Sequence, residues 1–387
     1  MTITFITNLI HHHQVHVADE MYAAVGEDYH YVATEALPDW LKKGGYQETE
    51  RPYLIKAYQS DAENLHAMQL ALETDVVIIG SAPDCYVRER MRRNKLTFRY
   101  AERWFKDGYY HLLSPRALKG YYEAHTRWRH HNVYMLCASA YTPNDAAVVC
   151  SYPGKCLKWG YFTAVPEFDI DAALRAKRAS TLKILWVARF LEWKHPERML
   201  QLASLLRCAG YDDFVIDMVG SGELFEKTKA QVAEQGLERH VRLLGNFPND
   251  QIHPLMREHH IFCFTSDRNE GWGAVLNESM SNGCAVVASH AIGSVPFLVR
   301  NGENGLIYNS DSPQDLFGKV RLLIDHPDQR EALSLAAYRT MHDVWSPKNA
   351  TANFLRLAQS MLQGSPIEIT EGPCSKAVRT KKNFYKK

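Results

Sequence analysis

The chain has 387 residues, a formal net charge of +1, 46% hydrophobic residues and 23% charged residues. These values are typical of a globular protein with two domains, and a charge this close to zero gives no support for nucleic-acid binding as the main role. The eight cysteines include no Cys-x-x-Cys pair, which favours free thiols in a reducing compartment. The N-terminus is typical of a first strand rather than a signal peptide, and no stretch approaches the roughly 20 apolar residues that cross a bilayer. We therefore expect a cytoplasmic protein.

Apolar strand-like runs alternate with amphipathic helix-like runs through both halves of the chain, which predicts two parallel, doubly wound sheets. The predicted strands are residues 3–7, 76–79, 96–98, 134–138, 184–187, 214–219, 241–244, 261–264 and 285–288. The predicted parts are a Rossmann-like domain at 1–166, a polar linker at 166–180, a second Rossmann-like domain at 180–350, and a crossover helix with a basic tail at 351–387. Ligands of such sheets bind at the carboxyl ends of the strands, so we expect a central cleft to hold the site.

A histidine-rich run follows the first predicted strand and contains His11, His12, His13 and His16. Three interpretations stay open: a metal site, polar contacts with a substrate, and ordinary loop or helix-start histidines. Adjacent side chains point in different directions, whereas a Zn²⁺ site requires three or four convergent ligands. We therefore predict no metal site, and we keep His12 and His13 as candidate substrate contacts.

Two basic segments, 88–95 and 376–387, are candidates for contact with an anionic membrane surface. The alternatives are a solvated helix face for the first segment and a disordered, solubilising tail for the second. Aromatic residues are concentrated at 104–122, where they would line a substrate groove or pack beneath the first sheet. Core packing is the commoner outcome for aromatic side chains.

Two loops of the second half carry charged or small residues directly after predicted strands. Arg189 and Lys194 follow one strand, and two cations at this position suit a leaving group that gains negative charge. Gly220 and Gly222 follow the next strand, where glycine allows the backbone to approach a ligand closely.

The most informative segment is Glu270 to Glu278, with the sequence EGWGAVLNE. A predicted strand precedes it and a predicted helix follows, which places Glu278 about two helical turns beyond Glu270. The amides of Gly271, Trp272 and Gly273 would then lie near a helix N-terminus, where an anion such as a diphosphate is favoured. Carboxylates are good acceptors for sugar and ribose hydroxyls, so the combination predicts a sugar nucleotide.

The spacing of Glu270 and Glu278 matches the E-x7-E motif of retaining glycosyltransferases, and the ordered motifs over residues 180–350 resemble the GT4 family. The resemblance implies the α/β GT-B fold, in which two doubly wound Rossmann-like domains face a central cleft. It also implies an acceptor-side N-terminal domain and a C-terminal domain that binds the nucleotide sugar. Arg189 and Lys194 correspond to the family's cations that grip the donor diphosphate.

The chain departs from the family pattern at several positions. Ala188 and His195 stand where the family usually has glycine, and Val295 with Pro296 stands where Pro-Glu is usual. Many relatives carry a histidine after a mid-domain strand near the donor sugar, but this chain has Glu102 and Arg103 there. These two side chains would either hydrogen-bond sugar hydroxyls or pair with each other and hold a loop.

The resemblance therefore implies a retaining, metal-independent hexosyltransferase without a cofactor. It would move a sugar from a nucleotide-diphosphate sugar to a saccharide or lipid-linked saccharide, in cell-surface polysaccharide synthesis and with peripheral contact at the inner membrane face. Glu270 would hold donor-sugar hydroxyls, Glu278 the ribose diol, and His12, His13, Glu102 and Arg103 are candidate acceptor or donor-sugar contacts. The alternatives are an epimerase or phosphorylase of the same fold, and a catalytically silent sugar-nucleotide-binding partner in a polysaccharide assembly complex.

Overall fold

The computed structural model describes residues 1–38 and 50–386. These residues form two compact units. The first unit contains Met1–Ala164 and Val344–Thr380, and the second contains Val165–Asp343 and the described residues from Lys381 onward. Within the described ranges, none of the helices combines the length and the apolar character that a membrane span requires.

The first unit is built on one parallel sheet. Its strands are β1 (Ile3–Thr7), β2 (Tyr29–Ala33), β3 (Leu54–Lys56), β4 (Val76–Ile79), β5 (Thr97–Ala101), β6 (Val133–Cys137) and β7 (Cys156–Lys158). Their spatial order is β3-β2-β1-β4-β5-β6-β7. Its first helices are α1 (His12–Val25), α2 (Asp61–Glu73), α3 (Cys85–Arg92), α4 (Pro115–Ala124) and α5 (Thr142–Val148). Every residue of β1 and β4 is buried, as expected for central parallel strands that are covered on both faces.

The second unit repeats this arrangement. Its strands are β8 (Leu182–Val187), β9 (Phe214–Val219), β10 (Val241–Gly245), β11 (Ile261–Phe264), β12 (Ala285–Ser289) and β13 (Leu306–Tyr308). Their spatial order is β10-β9-β8-β11-β12-β13. Its helices are α6 (Ile170–Arg178), α7 (Glu197–Cys208), α8 (Phe225–Glu234), α9 (Asn249–Glu258), α10 (Val275–Ser281), α11 (Val295–Leu298), α12 (Pro313–Asp325) and α13 (Pro327–Arg339). The chain then returns to the first unit as α14 (Pro347–Leu362).

The prediction of a linker at 166–180 is wrong, because this segment contains helix α6, which packs in the second unit. Asp169 begins the helix by accepting a hydrogen bond from the amide of Ala172 at 2.9 Å. Lys177 is buried, and its ammonium donates to the carbonyl of Gly283 at 2.6 Å. This bond gives the buried charge an acceptor and fixes α6 to the unit.

The start of the C-terminal tail is ordered by backbone pairing, which corrects the interpretation of a wholly disordered tail. The amide of Cys374 donates to the carbonyl of Lys158, and the amide of Lys158 donates to the carbonyl of Ser375, both at 2.7 Å. Leu157 and Lys376 form an antiparallel bridge. The tail therefore pairs with β7, the last strand of the first sheet.

The basic segment at 88–95 is not a free cationic face. Arg90 is fully buried, and the exposed Arg92 and Arg93 both pair with Glu89 on the same helix. The guanidinium of Arg90 donates to the hydroxyl of Thr97 and to the backbone carbonyls of Ala71, Thr74, Asp75 and Leu96, at 2.6–3.2 Å. Burial lowers the pKa of Arg90 to about 10, so the group stays charged at neutral pH. Arg90 therefore ties the end of α2 to the start of β5.

We expect Arg90→Met to lower the free energy of unfolding by about 3 kcal/mol, because buried carbonyls lose their donor. Urea unfolding followed by circular dichroism measures this change. Arg88→Met on the exposed side of the same helix is the matched control and should stay within about 0.5 kcal/mol of the parent. Equal stability of the two variants would contradict the role given to Arg90.

Candidate functional site

The predicted site residues of the second unit gather where the strand order reverses. β8 lies between β9 and β11, so the loops that follow β8 and β11 start beside each other and lead away in different directions. Such a reversal in a doubly wound sheet leaves a crevice for ligands at the carboxyl ends of the strands. Arg189 and Lys194 lie in the loop after β8, and Glu270 lies in the loop after β11.

Hydrogen bonds join these two loops to each other and to the core. The buried indole of Trp186 in β8 donates to the hydroxyl of Thr265 at 2.8 Å, and this hydroxyl donates to the carbonyl of Lys194 at 2.6 Å. The amide of Asp267 also donates to the carbonyl of Trp193 at 3.0 Å. The sequence analysis missed Thr265 and Asp267, although polar residues directly after a buried parallel strand are a signal for this position.

Lys194 and Glu270 form an ion pair, so the structure brings these two predicted residues together. The ammonium of Lys194 donates to Oε2 of Glu270, and the hydroxyl of Ser266 donates to the same oxygen at 2.9 Å. The two charged side chains remain 12% and 11% exposed. The ammonium also lies 4.2 Å from the ring centroid of Trp193, a favourable cation–π position. An anionic ligand that attracted the ammonium would release the carboxylate to accept hydroxyl groups.

His195 occupies a left-handed backbone conformation, with φ 54° and ψ 54°. This conformation explains why the family usually has glycine at this position, because glycine adopts the left-handed region without strain. Histidine is one of the residues that adopt this region more readily than most others. Its Nδ1 lies 2.8 Å from the carboxylate of Glu197, and its Nε2 lies 3.3 Å from that of Asp267. The bonds to Asp267 and then to Glu197 raise the pKa of His195 to about 9, so the loop gains a further positive charge at neutral pH.

Gly220 and Gly222 shape the neighbouring loop after β9. A Cβ added to Gly220 would lie 2.0 Å from the carbonyl oxygen of Ala188, and one added to Gly222 would lie 2.6 Å from that of Phe190. Both glycines have positive φ, at 132° and 150°. The structure therefore shows that these glycines let two loop backbones lie in contact. Arg189 lies between the two contacted residues and is exposed, and its guanidinium forms no hydrogen bond or ion pair with any described residue.

The turn from Gly271 to Gly273 is fixed by a buried tryptophan. The indole of Trp272 is fully buried and donates to the side-chain oxygen of Asn277 at 2.9 Å. Gly273 has φ 84°, and a Cβ there would lie 2.4 Å from the ring of Phe264. This turn therefore requires glycine at 273.

Glu278 lies in the first turn of α10, which begins at Val275. The helix predicted after Glu270 is confirmed as α10, but the placement of Glu278 about two helical turns beyond Glu270 is wrong, because the residues up to Ala274 form the turn. The Glu278 carboxyl makes no hydrogen bond with the described residues, and burial raises its pKa to about 7. Near neutral pH this group is therefore divided between its acid and carboxylate forms.

The segment after β12 has a structural role. Asn301 and Asn304 form the turn before β13: the amide of Ile307 donates to Asn301 at 2.9 Å, and the amide of Arg300 donates to Asn304 at 2.7 Å. Pro296, at the position where the family usually has glutamate, lies in the short helix α11.

The candidate residues of the first unit are connected through Tyr161. The ring of His13 stacks on Tyr161 with centroids 4.0 Å apart, and the Tyr161 hydroxyl donates to Glu102 at 2.5 Å. Glu102 also pairs with Lys106 at 2.6 Å, whereas the guanidinium of Arg103 lies 4.9 Å from the ring centroid of Tyr141. The alternative in which Glu102 and Arg103 pair with each other is therefore wrong. The sequence analysis missed Tyr161, which carries no motif.

The histidine run lies at the start of α1. Desolvation of the His12 ring, with further effects of His11 and His16, lowers the pKa of His12 to about 4. Burial also lowers the pKa of His13 well below its usual value, so both groups are neutral at physiological pH. Within residues 1–38 and 50–386, no three or more His, Cys, Asp or Glu side chains form a group that could hold a metal ion.

Two curated proteins and one solved structure show what this chain is similar to. A D-inositol 3-phosphate glycosyltransferase of Corynebacterium urealyticum is 28% identical over 246 residues, which are 61% of this chain and 55% of that protein. An uncharacterized glycosyltransferase of Methanocaldococcus jannaschii is 32% identical over 121 residues, which are 31% of this chain and 34% of that protein. The crystal structure of Anabaena HepE in complex with UDP matches 92% of this chain and 99% of that chain, with a TM-score of 0.66 and 16% identity.

The paired parallel sheets thus have the GT-B fold of glycosyltransferases, as the sequence analysis predicted. Residues 170–340 match the family described as glycosyl transferases group 1. The chain spans about half of the length of the Corynebacterium urealyticum protein and about a third of the length of the Methanocaldococcus jannaschii protein.

The His195 interactions predict a pH-dependent contribution to stability. Because the folded pKa of about 9 exceeds the unfolded value, the contribution of about 2–3 kcal/mol is complete below about pH 6.5 and is lost as the pH rises through about 9. His195→Asn keeps a residue that tolerates the left-handed conformation but does not titrate. Urea unfolding between about pH 6 and pH 10 should show a flatter profile for this variant.

The matched control is His66→Asn at an exposed position of α2, which should reproduce the parental profile. If His195→Asn also reproduced it, the ion pairs of His195 would not contribute to stability.

Proposed function

We propose that the chain is a retaining glycosyltransferase that moves a hexose-type sugar from a nucleotide-diphosphate sugar to a hydroxyl of a saccharide or lipid-linked saccharide. The observation that carries this proposal is the Lys194–Glu270 pair at the carboxyl ends of β8 and β11, within the segment that matches the group 1 family. Such a transfer would serve cell-surface polysaccharide synthesis. UDP is the first nucleotide to test because HepE holds UDP in the same fold.

The donor diphosphate would bind to Arg189 and Lys194. Arg189 is exposed and unpaired among the described residues, so it can bind a phosphate without breaking another ion pair. Lys194 would exchange the carboxylate of Glu270 for the second phosphate, and the backbone amides from Gly271 to Gly273 would assist. The released Glu270 would then accept hydrogen bonds from the donor-sugar hydroxyls.

The ribose of the donor would bind to Glu278. Its carboxyl has no hydrogen-bond partner among the described residues, and a ribose diol offers two donors to a carboxylate. In this arrangement Gly220 and Gly222 act through the shape of the loops, since they let the Arg189 loop lie against the loop after β9.

The reaction breaks the bond between the anomeric carbon and the diphosphate oxygen, and a bond forms from that carbon to the acceptor oxygen. The departing oxygen gains negative charge, which Arg189 and Lys194 stabilise by charge-assisted hydrogen bonds. Attack on the same face retains the configuration, and the acceptor proton passes to the leaving phosphate oxygen. This scheme uses neither a metal ion nor a cofactor, because side-chain cations neutralise the leaving group.

In the first unit, the candidates for contact with acceptor or donor sugar are His12, His13, Glu102 and Arg103. Stacking on Tyr161 and the Tyr161–Glu102 hydrogen bond hold His13 and Glu102 in fixed orientations. Two neutral histidines and a carboxylate form a polar set that suits hydroxyl groups more than a second phosphate.

A catalytically silent sugar-nucleotide-binding protein is the second candidate. Pro296 in place of the family's usual glutamate favours it, because one polar group of the pattern is missing. Nucleotide release from the donor separates the two candidates, since a silent binder would bind the donor and release no nucleotide. In the enzyme, Lys194→Ala and Glu270→Ala should each lower transfer by about a hundredfold or more.

A thermal-shift panel of UDP, GDP, ADP, CDP and TDP, with and without Mg²⁺, tests the donor site. We expect one diphosphate to stabilise the protein without the metal, by about 2.7 kcal/mol at about a hundred times its dissociation constant. Arg189→Ala and Lys194→Ala should remove this shift, because each removes a phosphate ligand. Lys229→Ala, at an exposed position of α8, is the control and should keep it.

No shift with any nucleotide would overturn the donor site. An equal shift in the parent and in both cation variants would overturn the assignment of Arg189 and Lys194.

The raised pKa of Glu278 predicts that nucleotide affinity depends on pH. Ribose hydroxyls bind the carboxylate better than the neutral acid, so affinity should rise as the pH increases through about 7 and fall below it. Calorimetric titration of the stabilising nucleotide between about pH 5.5 and pH 8.5 measures this dependence. Glu278→Gln should bind more weakly at high pH and lose the dependence, whereas a parental profile in this variant would contradict the role of Glu278.

A further inference from the structure

A small cavity lies between α6 and α13 in the second unit, and we call it the α6–α13 cavity. Its volume is about 20 Å³, whereas a buried water needs about 10–15 Å³, so the cavity suits one particle of water size or slightly larger. None of its lining residues belongs to the candidate donor site. Its polar lining residues are Lys177, Arg178, His260, Arg330, Glu331 and Ser334.

The charges around this cavity are unbalanced. Of the described residues that line it, three are cations (Lys177, Arg178 and Arg330) and one, Glu331, is a carboxylate, which leaves an excess of two positive charges. Glu331 is already paired with Arg178. Lys177 and Arg330 form no ion pair with any described residue. A partly buried space with this excess favours a small anion as a counter-charge.

Lys177 is the most buried of these cations, at 6% exposure in the last turn of α6. An ammonium carries three N–H donors, and that of Lys177 makes one hydrogen bond with the described residues, to the carbonyl of Gly283. A buried charge with donors left over is costly unless a counter-charge lies beside it. Burial accordingly lowers the pKa of Lys177, and a bound anion would oppose this effect by stabilising the charged form.

Arg330 and Ser334 supply further donors from α13. The guanidinium of Arg330 donates to the carbonyl of Leu323 at 2.9 Å and has other N–H groups to offer. Ser334 is 2% exposed, and its hydroxyl has no hydrogen-bond partner among the described residues. Residues 330 and 334 are one helical turn apart and therefore share a face of α13. The cavity thus lies among donors from two helices.

His260 contributes to the wall of the cavity without adding a charge. Its Nδ1 accepts from the amide of Lys183 at 3.1 Å, so its Nε2 carries the proton and donates to the carbonyl of Lys177 at 2.8 Å. Burial lowers the pKa of His260 to about 4, which keeps the ring neutral at physiological pH. Because both ring nitrogens are used, His260 offers no acceptor to the ammonium of Lys177.

We propose that the α6–α13 cavity binds one small monovalent anion of the size of chloride, held by Lys177, Arg330 and Ser334. A volume that suits one water-sized particle leaves no room for a phosphate group or an organic acid. Pro327 and Arg178, which also line the cavity, are exposed, so the ion can exchange with the solvent. The shared counter-ion would join α6 to α13 and stabilise the second unit. This site goes beyond the transfer reaction, because it requires neither donor nor acceptor.

Thermal unfolding of the full-length protein without nucleotide tests this site. Sodium chloride is compared with sodium gluconate at equal ionic strength, because gluconate is too large for the cavity and general screening is then the same. At about five times its dissociation constant a bound ion adds about RT ln 6 to the stability. We therefore expect an unfolding temperature about 2–4 °C higher in chloride, with saturation as chloride increases.

Variants of the lining residues place the ion. Arg330→Gln and Ser334→Ala should each weaken the apparent chloride affinity by about tenfold, because a hydrogen bond to a charged group is lost. Lys177→Met should remove the chloride dependence. Since this variant also loses the bond to Gly283, the other two keep the test informative if it fails to fold. Arg339→Gln, at an exposed position in the last turn of α13, is the matched control and should behave as the parent does.

Arg189→Ala with Lys194→Ala separates this ion from an anion at the candidate donor site. These substitutions should leave the difference between chloride and gluconate at its parental value, because neither residue lines the α6–α13 cavity. The same variants are expected to lose nucleotide binding, which is measured separately. Failure of the anion site therefore leaves the donor site unaffected, and the reverse also holds.

Three results would overturn the proposal. The first is an equal unfolding temperature in chloride and gluconate, which would mean that the cavity suits a water molecule. The second is a parental chloride dependence in the Lys177, Arg330 and Ser334 variants, since the ion would then bind elsewhere. The third is loss of the dependence in the variant of Arg189 and Lys194, which would assign the chloride to the donor site.

Discussion

The candidate donor site depends on the hydroxyl of Thr265, which joins the ends of β8 and β11. It accepts from the buried indole of Trp186 and donates to the carbonyl of Lys194, so the position of the Lys194 loop is set by the core. Glu270 is then placed by its pairing with Lys194 and Ser266. Charged groups that are fixed in this way need little rearrangement to stabilise charge in a reaction, which is the physical basis of electrostatic catalysis.

The charges around this site form a balanced set that a ligand would redistribute. Lys194 forms an ion pair with Glu270, and His195 pairs with Asp267 and Glu197. The guanidinium of Arg189, by contrast, has no partner among the described residues. A diphosphate would therefore meet one available cation and compete for a second. The exchange at Lys194 is also what makes a carboxylate available for sugar hydroxyls, so diphosphate binding and sugar binding would be coupled.

Nine of the thirteen strands in the described residues were predicted, because buried parallel strands are continuous apolar runs, as in β1, β4 and β11. The sequence analysis missed β2, β3, β7 and β13. The GT-B fold and the resemblance to the group 1 family were also predictable, since several motifs occur in order along 180–350. The Lys194–Glu270 pair was not, because its partners are 76 positions apart and only the parallel pairing of β8 with β11 brings them together. Arg90 was misread as part of a basic face because its partners are backbone carbonyls, which leave no mark on the sequence.

The pairing of the tail with β7 has a consequence for the state of the protein in solution. β7 is an edge strand, and an uncovered edge presents unpaired N–H and C=O groups to other chains. The segment from Cys374 to Ala377 occupies these groups, with hydrogen bonds of 2.7–2.9 Å. The basic tail thus protects the sheet against edge-to-edge aggregation, and a shortened chain would lose this protection while its donor-site residues stayed intact.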